Sequence, residues 1–345
     1  MPCRLRSALL LCAALLGRGA GGAAEAKNAL IVVCFADHAV STKRHLFNDH
    51  VVGCQITVAS FRLANSVDDV FILTPTLAMV DPALKRVAAR DAGVHILAMG
   101  PGPYPVFGGA ALPLRGPEGH FTGNCLRHVW YATALRGDAS GYENVMIADG
   151  SDVFFQRDPF ELSAKLGPAV DLIFFGDRAD DFKEGERYFR LRMNQCADKT
   201  LTAPDHLDRI NSDFRGIYAN GGLLLGKAQA MRAPSLSLST SVEKLAVACA
   251  FWESDQGLVN FARHLEMKTR SPGAVVAFAD KTHSVSMGHY AWPTRDSSGQ
   301  LLSLETREPL YIVHQYYSGQ HHKDLGLYFA KVKPWLHEAA KPVAR

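Results

Sequence analysis

Short apolar runs alternate with stretches of helical spacing from Ala29 to Asp149, and this alternation of strand and helix restricts the fold more than any other feature of the chain. ALIVVCF, Ala29 to Phe35, reads as a buried strand, and Thr42 to Asn65 carries Leu46, Val51, Cys54, Val58 and Phe61 near helical spacing. Val70 to Thr74 and Val94 to Ala98 are strands on either side of a helix from Pro82 to Ala92. After Val94 to Ala98 the Gly/Pro-rich segment MGPGPYPVFGG interrupts the rhythm as a surface loop. A helix from Asn124 to Leu135, burying Leu126, Val129, Trp130 and Ala134, then delivers the chain into a strand from Asn144 to Asp149. Asp171 to Gly176, Gly222 to Gly226 and Leu310 to Gln315 supply further strands. The pattern predicts an α/β protein with a mixed, mostly parallel sheet flanked by helices, forming one large domain over 28–340.

The run IADGSDVFFQRDPF, Ile147 to Phe160, places Asp149 and Asp152 where a strand gives way to a loop. Ligands of open α/β sheets collect at the carboxyl ends of strands. Paired carboxylates there suit a hard divalent cation that keeps water and substrate phosphates as its other ligands. The same residues are also ordinary turn formers, so a purely structural turn is the competing reading.

The segment resembles the acidic motif of GT-A-fold glycosyltransferases, in which a strand feeds an Asp-x-Asp or Asp-x-x-Asp element into a nucleotide-sugar site. Val153 to Phe160 is similar to the stretch that follows that motif, and YANGGLLLGKAQAM (Tyr218 to Met231) to the family's Asn-Ser/Ala-Gly segment. ESDQGLVNF (Glu253 to Phe261) resembles its Asp-Gln element and YIVHQYYSG (Tyr311 to Gly319) its late His strand, all in the family's order. Ser151 stands where many relatives carry a basic residue, and Lys333, Pro334 and Trp335 lie further from His314 than in the glycogenin-like branch.

The resemblance implies a GT-A-like Rossmann-type fold and transfer of a sugar from a nucleotide-diphosphate donor, a UDP-sugar foremost, to a glycan or glycoprotein. It implies Mn²⁺ or Mg²⁺ as cofactor, held by Asp149 and Asp152 with His314 as third ligand. A lone strand histidine is also a common core residue, and His283, His321 and His322 compete for the ligand role. Asn220, Gly221 and Gly222 would face the donor sugar, or else form a turn opening a strand. Asp255 and Gln256 would lie at the reacting sugar, which leans towards a retaining reaction, or Asp255 would cap a helix. Arg127 would reach a phosphate, against the reading of an exposed helix cation, and Asp37 would touch the base or ribose.

The first residues carry Arg4 and Arg6, an apolar stretch from Ala8 to Leu16 and small residues from Gly19 to Ala24, the pattern of a cleaved signal peptide over 1–23. That predicts a protein of the secretory lumen, Golgi or ER, or a secreted one, and no stable membrane span. Cleavage takes three of the 37 basic residues and so balances the 34 acidic ones. A near-neutral chain has no electrostatic footprint for nucleic acid. Beyond the leader stand Cys34, Cys54, Cys125, Cys196 and Cys249, an odd number without a Cys-x-x-Cys pair. Cys34 reads as a small buried hydrophobe, and Cys196, in a polar stretch, as the better disulfide partner. Two rival functions remain: a noncatalytic GT-A-like carbohydrate-binding protein and a metal-dependent phosphohydrolase.

Overall fold

The structure is a computed structural model that describes residues 28–34, 50–100, 104–105, 111–112, 123–150, 152–178, 217–232, 259–260, 273–286 and 294–314. Its strands are β1 (Ala29–Val33), β2 (Asp69–Thr74), β3 (Val94–Ala98), β4 (Tyr104–Pro105), β5 (Ala111–Leu112), β6 (Asn144–Asp149) and β7 (Val153–Phe155). After these come β8 (Leu172–Arg178), β9 (Ile217–Lys227), β10 (Val276–Ala279), β11 (Ser284–Ser286), β12 (Thr294–Arg295), β13 (Leu301–Leu302) and β14 (Ile312–His314). The helices are α1 (His50–Ala64), α2 (Pro82–Arg90), α3 (Gly123–Arg136) and α4 (Phe160–Leu166).

A seven-stranded sheet in the order β10, β8, β9, β6, β1, β2, β3 forms the centre. β6, β1, β2 and β3 run parallel, as do β10 and β8, and β9 runs antiparallel to both of its neighbours. This is the mixed, mostly parallel α/β sheet expected from the alternation. Both of its faces are covered, which is why its strands read as continuous apolar runs. Ala29, Ile31 and Val33 of β1 join Phe71, Leu73, Val145 and Ile147 in one core, closed by Val129, Trp130, Ala134 and Leu135 of α3. Leu30 and Val32 join Val70, Ile72, Met146 and Ala148 in the other, closed by Cys54, Val58 and Phe61 of α1 and by Leu84 and Val87 of α2. The period-two alternation of strand side chains sorts neighbours in sequence onto opposite faces.

Helix α2 starts where the sequence provides a cap: the Asp81 side chain accepts from Ala83 N at 2.7 Å and Pro82 occupies the first turn. Among the described residues no helix is long and apolar enough to cross a membrane.

Three expectations change. β9 begins at Ile217, five residues before the expected Gly222, so Asn220, Gly221 and Gly222 lie inside a strand rather than in a turn that opens one. Packing against β6 and β8 on both sides extends it. The late strand is only Ile312–His314 and belongs to a separate three-stranded sheet in the order β11, β14, β7. Cys34 is not a free buried thiol: it is disulfide-bonded to Cys54, with Cα atoms 6.1 Å apart. The fold brings the end of β1 beside α1, a proximity that no local spacing reveals. Cys196 lies outside the described residues.

Candidate metal centre at the strand ends

β6 ends at Asp149, beside the end of β1 through the pairing of Val33 with Asp149. The loop after it turns into β7, and β7 pairs antiparallel with β14 so that Val153 stands opposite His314. That register brings His314 beside Asp152, one residue before Val153. Gln156 anchors the arrangement: its Nε2 donates to the carbonyls of Leu301 and Leu310 at 3.0 Å each, and its Oε1 accepts from Leu301 N at 2.7 Å. A side chain of the FQRDPF stretch thus ties the late part of the chain to the acidic loop.

Asp149, Asp152 and His314 each offer a ligand atom, and these atoms lie within 4.8 Å of one another. His314 Nε2 is 3.5 Å from Asp149 Oδ2 and 3.4 Å from Asp152 Oδ2. The other Asp149 oxygen, Oδ1, accepts from Arg127 Nη1 on α3. Arg127 is buried, so it is not the exposed helix cation of the simpler reading. Burial pushes the Asp149 carboxyl up, but Arg127 and His314 outweigh it and hold the group down at about 2. For His314 burial opposes a proton, and the carboxylates of Asp152 and Asp149 overcome that and raise its proton affinity well above the usual imidazole range.

Behind His314, Asn220 donates from Nδ2 to Nδ1 at 3.0 Å, while its Oδ1 accepts from Gly222 N at 2.7 Å. With the oxygen so engaged, the amide presents its N–H group to Nδ1, an arrangement that suits the neutral ring with its proton on Nε2, towards the carboxylates. Asn260 holds the strand one residue earlier, accepting from Ala219 N at 2.8 Å and donating to Ala219 O at 2.9 Å. Gly222 is required by contact: a Cβ there would lie 2.2 Å from Asp149 Oδ2.

The donor set fits a divalent cation. His314 Nε2 and Asp152 Oδ1 are buried and make no hydrogen bond, a costly state that coordination would relieve. Two carboxylates and one imidazole suit Mn²⁺ or Mg²⁺. His283 is engaged elsewhere, its Nδ1 3.2 Å from Asp280 Oδ1. Of the other candidates, Gly221 lies within β9 between Asn220 and Gly222. Asp37, Asp255, Gln256, His321 and His322 lie outside the described residues, as does Ser151. Sequence reading missed Gln156 and Asn260, whose side chains hold the site's strands; both stand in motifs that drew attention to other residues.

The fold and site together define an α/β protein with an acidic and histidine cluster at the carboxyl ends of its sheet. No protein-family model matches the chain, and no curated protein does. Solved structures similar to it include the galactosyltransferase LgtC in complex with donor and acceptor sugar analogs, at 14% identity over 92% of this chain and 98% of that one, with a TM-score of 0.47. An active-site mutant of LgtC is similar at 12% identity over 88% of this chain and 95% of that one, with a TM-score of 0.46.

Proposed function

We propose that the chain is a metal-dependent glycosyltransferase that moves a sugar from a nucleotide-diphosphate donor, foremost a UDP-sugar, to a glycan or glycoprotein acceptor. The observation that carries this reading is the convergence of Asp149, Asp152 and His314 at the strand ends, two of their buried atoms making no hydrogen bond. Mn²⁺ or Mg²⁺ bound there would supply Lewis-acid neutralisation of the charge that grows on the leaving diphosphate. Asp152 and His314 would hold the ion together with Asp149, whose second oxygen accepts from Arg127. Arg127 keeps Asp149 ionised and lends positive charge to the phosphate side.

In this reading the Asn220, Gly221 and Gly222 segment lies on the donor-sugar side, the Asn220 amide serving His314 and Gly222 making room for Asp149. In this reading Asp37 touches the base or ribose. Asp255 with Gln256 acts on the reacting sugar, where a carboxylate stabilises an oxocarbenium-like centre, and the Asp-Gln pairing favours retention. The leader-like start supports passage into the secretory lumen, Golgi or ER, or secretion, and the Cys34–Cys54 disulfide accords with an oxidising compartment.

Calorimetry with UDP and GDP, with and without Mn²⁺, tests the donor site: at least one nucleotide binds in the presence of the metal and loses affinity without it. Absence of binding under every condition defeats the reading. Hydrolysis of a nucleotide-sugar panel separates an active enzyme from a noncatalytic sugar binder, and phosphate release from simple esters would favour a phosphohydrolase.

A further inference from the structure

The acidic loop is held from beneath by one face of α1. Cys54, Thr57 and Ser60 recur every three residues and so project towards the same side of the helix. Cys54 carries the disulfide to Cys34, and its Sγ lies close under Gly150, where an added Cβ would sit 3.0 Å from the sulfur and 2.2 Å from Val33 O. The Thr57 hydroxyl shares its single proton between the carbonyls of Val153 at 2.7 Å and Gly150 at 3.0 Å, a three-centre bond that leans towards Val153. Ser60 Oγ accepts from Phe155 N at 3.0 Å and donates to Thr57 O at 3.1 Å. Thr57 and Ser60 are fully buried.

Thr57 therefore bridges the two peptide carbonyls that bracket Asp152. Gly150 follows Asp149 directly, and Val153 follows Asp152 and pairs with His314. One hydroxyl fixes the separation of the backbone units that carry two candidate ligands and register the third. Selection between Ca²⁺ and the smaller octahedral cations depends on cavity size, ligand number and flexibility. A loop that cannot widen favours Mn²⁺, and a loosened one accommodates the longer bonds of Ca²⁺.

We propose that Thr57 is a positioning residue that sets cation selectivity: by clamping the Gly150 and Val153 carbonyls it keeps the Asp149, Asp152 and His314 site narrow and favours Mn²⁺ over Ca²⁺. The proposal rests on the metal-centre reading above and concerns a residue that touches no ligand of the reaction. Thr57→Val keeps the shape and removes the hydroxyl, and Thr57→Ser keeps the hydroxyl.

The test is calorimetric titration of the full chain with Mn²⁺ and with Ca²⁺, alongside thermal melts, for the native protein, both Thr57 variants and Ser60→Ala. In Thr57→Val, Mn²⁺ affinity falls by about tenfold, the scale of losses at residues supporting metal ligands, while Ca²⁺ affinity changes by less than about threefold. Thr57→Ser restores the native preference. Ser60→Ala, which frees Phe155 N and the Thr57 carbonyl and so loosens the seat of the clamp, moves the ratio in the same direction by less, and it decides the matter if Thr57→Val does not fold. An unchanged ratio in Thr57→Val despite a lowered melting temperature gives Thr57 a structural role only and overturns the proposal. Equal native affinity for the two cations, failure of Thr57→Ser to restore the preference, or an unchanged ratio in Ser60→Ala when Thr57→Val does not fold also overturns it. Native protein that binds neither cation defeats the metal-centre reading itself.

Discussion

Two acidic clusters sit at opposite ends of the same strands, and they differ in how their carboxylates are satisfied. At the amino ends, Asp68 accepts from Asn28 N at 3.0 Å, Asn28 Nδ2 at 2.9 Å and Asn65 Nδ2 at 2.7 Å, while the turn amides of Val67 and Asp68 donate to Asn65 Oδ1 at 3.1 and 3.0 Å. Asp69 accepts from Tyr142 Oη, and Arg62 pairs with Asp91. Asn144, opening β6, donates to Asn28 at 3.0 Å and ties the strands together. At the carboxyl ends Asp152 Oδ1 and His314 Nε2 have no hydrogen-bond partner. Acidic residues at a strand end are therefore not a site by their number; the difference lies in whether the fold itself meets their bonding demand.

The largest expected effect breaks the upper cluster. Asp152→Ala abolishes metal-dependent turnover and the thermal shift that Mn²⁺ plus nucleotide gives the native protein by mass action, while the fold stays intact and the metal-free melting temperature falls only modestly, because His314 loses one of the two carboxylates that face it. A retained ligand-induced shift, measured by differential scanning fluorimetry, would remove Asp152 from the centre. The mirror experiment breaks the lower cluster. Asp68→Ala strands the donors of Asn28 and Asn65 and costs about 2–3 kcal/mol of stability in urea unfolding, with Mn²⁺ affinity unchanged. Loss of metal binding at an intact fold would show that the two ends are coupled.

A subtler change sharpens the contrast. Coordination through His314 Nε2 requires the ring proton on Nδ1, where the Asn220 amide now presents donors. Asn220→Asp accepts from both Gly222 N and Nδ1, so Mn²⁺ binds about tenfold more tightly, the usual scale for a partner behind a ligating histidine. Weaker binding by calorimetry would mean that the amide already turns its oxygen to the ring. The smallest effect is in acid. Because Arg127 and His314 hold Asp149 at about 2, below its ordinary 3.8, the pair's contribution is complete above that ordinary value and is lost as pH falls through 2. The stability difference between native protein and Arg127→Met is flat above about pH 5 and shrinks towards pH 2; a difference that stays flat to pH 2 contradicts the assignment.

The parallel strands were legible because burial on both faces leaves an apolar run that needs no knowledge of partners, as in Ala29–Val33 and Asn144–Asp149. The antiparallel β9 was legible only in its second half, since Asn220 and two glycines look like a turn until β6 and β8 are present on either side. Asp149, Asp152 and His314 could be nominated from strand ends and family-like motifs, and the fold brings them together. Arg127's attachment to Asp149, the Cys34–Cys54 bond and the grip of Thr57 on the loop depend on distances across the sheet. Nothing local in the chain encodes them.

The pairing of Val153 with His314 has a consequence for the order in which the protein acquires its chemistry. On the ribosome both aspartates emerge long before the histidine, so a partly synthesised chain can carry the acidic loop but not the complete coordination set. The histidine arrives with β14, a short strand with no place to pair until β7 and β11 are laid down. Long-range pairings of this kind are slow steps in folding. In the metal-centre reading, ion uptake during refolding follows the pairing of β14 with β7, and its time course becomes a clock for that contact.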